Sequence, residues 1–286
     1  MKGIIWLASY PKSGNTWFRV FLTNLLRDGD SPASINDLES TPIAGARGIF
    51  DENMGFEASD LTSDEIDRLR PELYIHLAEN SEEQLFMKIH DAYAEVENNM
   101  PLIPAEATGG ALYFIRNPLD VAVSFAHHSG WKYDTSISRM ADDTFAFCGR
   151  PDRLQNQLRQ KLLSWSNHIL SWVDSARFPV CVLRYEDMKL QPLETFTKAV
   201  RFAGLDQTRE QIQKALGFSS FDLVQQQEEA KGFQEKSAAS SRFFRKGKVG
   251  SWREELSEEQ ARQIVRDHRE VMRRFGYLDE NGEILY

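Results

Sequence analysis

The chain has 286 residues, 41% hydrophobic and 27% charged, which excludes a disordered polypeptide and allows one large domain that needs neither disulfide nor metal as a staple. Thirty-four Lys and Arg against 43 Asp and Glu leave a net charge of −9, which argues against general nucleic-acid binding but permits one local basic pocket. Two cysteines in unrelated contexts, Cys148 and Cys181, suggest neither a disulfide scaffold nor a zinc site, and no apolar run near the start approaches a signal segment or a membrane span, so the chain reads as soluble, intracellular and cytoplasmic.

In chain order, residues 3–9 are an apolar run closed by Pro11 and Gly14, which predicts a buried strand. Residues 16–27 carry Trp17, Val20, Phe21, Asn24 and Leu25 at helical spacing and predict the helix that follows. Thr62 with Glu65 is a capping box that predicts a short helix. Residues 85–90 and 111–115 predict two more strands, the latter followed by Arg116-Asn117-Pro118 and a helical run over 119–127. Leu154, Leu158, Leu162, Trp165, Ile169 and Trp172 form one helical stripe. Residues 180–185 predict a fourth strand, then a helix over 193–202 ended by Gly204. Thr208 with Gln211 opens another short helix, and Ser257 with Gln260 opens one running to Phe275.

Strands that are apolar throughout suit a parallel sheet covered on both faces. The expected fold is therefore α/β: one domain over residues 1–286, with a central, mostly parallel sheet flanked by helices and a P-loop-like phosphate-binding turn. Residues 28–60, 130–151 and 218–249 resist assignment and are expected to border the site.

Three segments carry chemistry. Tyr10-Pro11-Lys12-Ser13-Gly14-Asn15-Thr16-Trp17 lies where the first strand meets its helix, so backbone N–H groups and a positive helix end face an anion. Lys12 adds a full charge, and Ser13 and Thr16 add hydroxyl donors. The lysine precedes the glycine, unlike a nucleotide-triphosphate loop. Alone, the segment also reads as an ordinary strand–helix turn. Arg116 ends a strand and Ser124 lies about two turns into the next helix, so both side chains could converge on one anion. Alone, they read equally as a surface arginine and a serine facing its helix neighbours. Arg245-Lys246-Gly247-Lys248-Val249-Gly250-Ser251-Trp252 is a Gly-broken basic cluster that suits a phosphate, or a basic surface turn.

Together and in this order, the three segments resemble the sulfotransferase family, enzymes of the EC 2.8.2 type that use 3′-phosphoadenosine 5′-phosphosulfate (PAPS). The wording of residues 8–17 is similar to bacterial members that sulfate natural products such as glycopeptides. The resemblance implies that Lys12, Ser13, Gly14, Asn15 and Thr16 hold the 5′-phosphosulfate. It implies that Trp17 and Phe221 sandwich the adenine beside Ser219, with Tyr185 reaching an adenine nitrogen. Arg116, Ser124, Arg245, Lys246 and Gly247 would hold the 3′-phosphate, and His90 in Lys88-Ile89-His90 matches the catalytic histidine. PAPS would be the co-substrate and adenosine 3′,5′-bisphosphate the product, with no metal.

The histidine also makes chemical sense by itself, because transfer to a hydroxyl needs a base poised near neutral pH. Lys12 and Lys88 could neutralise charge on the bridging and sulfuryl oxygens. His76, His127, His128, His168 and His268 match no motif. Asn15 stands where many relatives have Thr. Ser251 stands where cytosolic animal members commonly have Asp, which removes a local salt bridge. The stretch 252–260 lacks those members' dimer motif, so the oligomeric state stays open. The expected partner is a small-molecule hydroxyl acceptor, with no nucleic acid and no membrane. Phe50, Phe56, Tyr93, Trp131, Tyr133, Phe145 and Phe147 line an apolar acceptor pocket or belong to the core. Two other readings stay open: a small-molecule kinase, which needs Mg2+ and a lysine after the loop glycine where this chain has Asn15, and a catalytically silent nucleotide-binding module.

Overall fold

Six consecutive buried residues, Ile4–Ser9, form β1, as expected of a strand covered on both faces. The computed structural model describes residues 3–96, 99–150 and 153–286; residues 1 and 2 of the expected domain, and Pro151 of one unassigned segment, lie outside the described residues. The later strands are β2 (Leu85–Ile89), β3 (Thr108–Ile115), the two-residue β4 (Ala146–Phe147) and β5 (Gln160–Lys161), and β6 (Val180–Arg184). The central sheet runs β2-β1-β3-β6, with β1 and β2 parallel in the register Ile4↔Leu85 to Ala8↔Ile89. It is flanked by helices: α1 (Asn15–Arg27), α2 (Arg47–Met54), α3 (Ser63–Glu79), α4 (Pro118–Ser129), α5 (Tyr133–Met140), α6 (Trp165–Ser175), α7 (Tyr185–Leu190), α8 (Pro192–Phe202), α9 (Arg209–Phe218), α10 (Phe221–Lys231) and α11 (Glu258–Arg274). Among the described residues no helix is long and apolar enough to cross a membrane.

The chain divides into two compact units. The first comprises the chain up to Tyr10, Ser40–Tyr113 and Asp142–Val182. Here the capping box at Thr62 and Glu65 opens α3, which at 17 residues is longer than the short helix expected. Trp6 of β1 lies edge-on to Tyr74 of α3, at 4.9 Å between ring centroids, and its indole N–H donates to Thr108. Arg70, fully buried on α3, forks onto Asp91 with two hydrogen bonds of 3.0 and 2.7 Å and donates to the Tyr74 hydroxyl and the Arg159 carbonyl. Arg159 in turn holds Asp67 and Asp64.

The expected stripe from Leu154 to Trp172 is not one helix. Only α6 is helical, and Leu154 is 68% exposed. Residues before it are drawn into extended pairing: Gln157 bridges Ala46, and β5 pairs antiparallel with β4. Leu163 adopts a left-handed φ of 58°, and Ser164 then caps α6 by accepting from the Asn167 N–H.

The second unit comprises Pro11–Glu39, Phe114–Ala141 and Leu183–Tyr286. α9 packs on α1, α8 on α7 and α9, and α4 on α5 and α11. Phe196 of α8 meets Phe18 and Phe21 of α1. The capping boxes at Thr208 and Ser257 are present. Strand β6 stops at Arg184, one residue short of the expected end, because Tyr185 already begins α7.

The three unassigned segments contain α2, α5 and α10, so they are not irregular throughout. The third also carries apolar weight: Val224, Phe233 and Phe244 are buried with Val20, Ile35 and Leu38, and Phe221 and Phe243 pack against them.

Removing the Asp91 carboxylate leaves the Arg70 guanidinium buried without its bidentate partner. Asp91→Ala should lower unfolding stability by about 3–5 kcal/mol, as is usual when one member of a buried pair is lost. Urea denaturation checks this; a midpoint equal to that of the parent contradicts it.

Candidate active site

The turn from β1 into α1 has a backbone geometry that suits an anion. Lys12 sits at φ 70° and Gly14 at φ 100°, and Gly14 caps α1 with no side-chain cap, so the first-turn N–H groups keep their outward direction. Asn15 and Thr16 are buried in that first turn. Ser13 is 1% exposed, yet among the described residues its Oγ has no hydrogen-bond partner. A buried hydroxyl of this kind is expensive unless a ligand completes it. The Lys12 ammonium lies 3.8 Å from the Phe243 ring centroid.

Arg116 joins this turn. Its Nη1 donates to the Lys12 carbonyl at 3.3 Å, its Nη2 to the Lys248 carbonyl at 3.2 Å, and its guanidinium lies 4.3 Å above the Tyr185 ring. The buried Nε has no partner among the described residues. Tyr185 rests directly on Gly14: a Cβ there would fall 2.7 Å from Tyr185 Cδ2. The corner after Arg116 is fixed from behind. Asn117 caps α4 by accepting from the Leu119 N–H, and its own N–H donates to Glu186, a buried carboxyl that also accepts from Tyr277. Burial pushes the Glu186 carboxyl up. Ser124 is half-buried on α4, three residues before His127.

The aromatic pair expected to hold adenine also meets its neighbours here. Trp17 donates its indole N–H to the Ser219 carbonyl at 2.8 Å, while the Ser219 hydroxyl closes α9 by donating to Ala215. Phe221 opens α10 and covers Gly247, where φ is 60° and a Cβ would come within 2.3 Å of the ring. Lys189 places its ammonium 5.2 Å from the Trp17 ring and 5.4 Å from the Phe221 ring. Desolvation lowers its pKa. Arg245 and Lys246 both pair with Glu255.

His90 follows β2 in the first unit. Its Nδ1 is 2.8 Å from the Ser9 carbonyl, which can only accept, so Nδ1 carries the proton and Nε2 is the basic nitrogen. The strand end is pinned from below: His168 Nε2 donates to the His90 carbonyl, the Tyr113 hydroxyl donates to His168 Nδ1, and Trp172 donates to the Asp91 carbonyl. Lys88 is buried on β2, opposite Leu7 of β1. Of the aromatic acceptor-pocket candidates, Phe50, Tyr93 and Phe145 are buried; Tyr93 packs on Trp172 and Phe178 as core. Among the described residues no group of three or more His, Cys, Asp or Glu is placed to hold a metal ion.

Residues 2–276 match the model of the sulfotransferase domain. The chain belongs to the sulfotransferase family. It is 24% identical over 265 residues to sulfotransferase 1B1 of Canis lupus familiaris, covering 86% of this chain and 76% of that protein. It is 26% identical over 277 residues to a 3-beta-hydroxysteroid sulfotransferase of Cavia porcellus, covering 93% and 82%. Its fold matches that of a mouse sulfotransferase complexed with PAP at a TM-score of 0.59, with 20% identity over 99% of this chain and 87% of that one. It also matches retinol dehydratase in a complex with retinol and PAP at 0.61, with 19% identity over 99% and 83%.

Three carboxylates and a lysine of this sulfotransferase stand around these segments without being among the site residues expected from the sequence. Asp120 accepts from the Gly250 and Trp252 N–H groups and the Ser251 hydroxyl, and lies 3.7 Å from Arg116. A carboxylate on α4 therefore serves the turn where Ser251 replaces the family's Asp. Its i,i+4 spacing from Arg116 was the available signal. Glu186, Glu255 and Lys189 left no such mark.

Burial lowers the His168 pKa from 6.5 to about 4. The folded pKa lies below the unfolded one, so the unfolded chain binds more protons between those values. The stabilisation is complete above pH 6.5 and is lost as pH falls toward about 4, by up to roughly 3 kcal/mol. Urea unfolding of the parent and His168→Gln at pH 7 and pH 4.5 should show the steeper acid loss in the parent. Parallel losses contradict the assignment.

Proposed function

We propose that this sulfotransferase moves a sulfuryl group from PAPS to a hydroxyl of a small-molecule acceptor, acting as one functional domain over residues 1–286 in the cytoplasm. The observation that carries the reading is the β1–α1 turn: a left-handed Lys12 and Gly14, an open helix N-terminus, and Ser13 Oγ buried without a partner, next to Arg116 with Nε likewise unpartnered. This donor set suits a phosphate-bearing ligand. Lys12, Ser13, Gly14, Asn15 and Thr16 hold the 5′-phosphosulfate. Trp17 and Phe221 take the adenine beside Ser219 and Tyr185, and Arg116, Ser124, Arg245, Lys246 and Gly247 take the 3′-phosphate. The solved relatives complexed with PAP support the nucleotide, and relatives named for 3-beta-hydroxysteroids and flavonols support a hydroxyl acceptor.

His90 acts as general base. The Ser9 carbonyl holds the tautomer with Nε2 basic, and Nε2 takes the acceptor's proton as the acceptor oxygen bonds to sulfur. The bond between sulfur and the 5′-phosphate oxygen breaks, and adenosine 3′,5′-bisphosphate leaves. Lys12 and Lys88 offset charge on the bridging and sulfuryl oxygens, so the step resembles phosphoryl transfer in relying on positioning and electrostatics.

Radiolabelled PAPS offered with a panel of phenols, alcohols, sugars and amines tests the activity, and a panel hydroxyl should become labelled. With that acceptor, His90→Gln should lose about 10²–10⁴-fold in turnover, the usual contribution of a general base, with bisphosphate affinity kept within about threefold. Near-normal turnover of that variant contradicts the base assignment, and no label transfer to any acceptor contradicts the function.

A further inference from the structure

Glu255 lies just past the turn Ser251–Glu254, with a side chain only 12% exposed, and four donors converge on it. Oε1 accepts from Arg245 Nη1 at 2.7 Å and from Lys246 Nζ at 2.8 Å. Oε2 faces His127 Nε2 at 2.8 Å and accepts from the Tyr133 hydroxyl at 2.6 Å. Lys246 pairs in addition with Glu254 at 2.8 Å. Burial opposes ionisation, yet the hydrogen bonds from Lys246, Tyr133, His127 and Arg245 outweigh it and hold the carboxyl far below the ordinary range.

These two cations are the ones assigned to the 3′-phosphate, and the inference rests on that assignment. A carboxylate is the side chain that most resembles a phosphate: planar oxygens, negative charge, acceptor only. Two carboxylates on one Arg and one Lys leave the pair electrically neutral toward an incoming dianion. The backbone of the segment needs no such help. Gln225 donates to the Phe244 and Arg245 carbonyls, and Glu228 accepts from the Phe243 and Phe244 N–H groups. The bonds from Glu255 therefore govern the charged heads rather than the path of the chain.

We propose that Glu255 is an internal competitor of the 3′-phosphate, a residue that weakens the grip on 3′-phosphorylated nucleotides and so eases release of the bisphosphate product. On binding, Arg245 and Lys246 exchange Glu255 Oε1 for phosphate oxygens, while His127 and Tyr133 retain Oε2. Glu255 thus sets how strongly the site prefers a nucleotide with a 3′-phosphate over one without.

Isothermal calorimetry with adenosine 3′,5′-bisphosphate and with AMP tests this on the full chain. Glu255→Gln keeps the volume and an acceptor oxygen but removes the charge. It should tighten bisphosphate binding by about tenfold and leave AMP unchanged, since one nearby charge at partial exposure is worth about that much. Glu254→Gln, at the exposed position, should shift affinity in the same direction by about threefold, which keeps the test open if the first variant folds poorly. Bisphosphate affinity that is unchanged or weakened overturns the proposal, the weakened case making Glu255 a support for Arg245. Arg245→Ala separates the underlying assignment. Loss of bisphosphate affinity with AMP unchanged upholds the 3′-phosphate role. Equal behaviour toward both ligands overturns that role, and the competitor with it.

Discussion

The Tyr185 ring rests on Gly14, and the proposed nucleotide site depends on that contact. It exists because glycine has no Cβ and tolerates φ 100°. From Tyr185 the contacts run outward. Arg116 lies over the ring and donates to the carbonyls of Lys12 and Lys248, and Asp120 meets Arg116 and ties down Gly250, Ser251 and Trp252. Three segments far apart in sequence are thereby joined through one aromatic ring, one guanidinium and one carboxylate. A side chain at position 14 would displace the ring and so disturb every later link.

In a chain with a net charge of −9, four carboxylates serve the backbone and the cations of the proposed anion site. Asp120 and Glu186 accept backbone N–H groups at the two ends of the Arg116 corner. Glu255 and Glu254 sit on the side-chain cations. The first pair shapes the corner, and the second moderates its charge. In the first unit the same economy holds Arg70 on Asp91, next to His90, so that the residue after the histidine is fixed by a bidentate pair. Ser9 then sets the His90 tautomer from the last residue of β1, five residues ahead of Gly14 in the chain.

What the sequence makes legible is local. Apolar runs with turn residues behind them marked the strands of the central sheet to within a few residues, and the capping boxes at Thr62, Thr208 and Ser257 marked three helix starts. The order of the three motif segments, at residues 10–17, 116–124 and 245–252, was enough to point to the family. What failed was decided at a distance. Leu154, Leu158 and Leu162 continue the period of α6, but pairing with residues 46 and 146–147 draws that stretch out of the helix. The segment after Phe221 looks polar at its Gln and Glu run, while its burial comes from Phe233 and Phe244 meeting Val20, Ile35 and Leu38. Asp120 and Glu255 act on partners reached only through the fold, such as Gly250 for the one and His127 for the other, which no local pattern announces.

Gly14 carries the proposed nucleotide site through Tyr185. Calorimetry of adenosine 3′,5′-bisphosphate binding to Gly14→Ala tests it, with Gly217→Ala as control because a Cβ at Gly217 meets nothing within 4 Å. Gly14→Ala should lose at least about 100-fold in affinity, as the left-handed φ and the displaced ring together cost roughly 3 kcal/mol or more, while Gly217→Ala should bind as the parent does. Binding by Gly14→Ala within about threefold of the parent would contradict it.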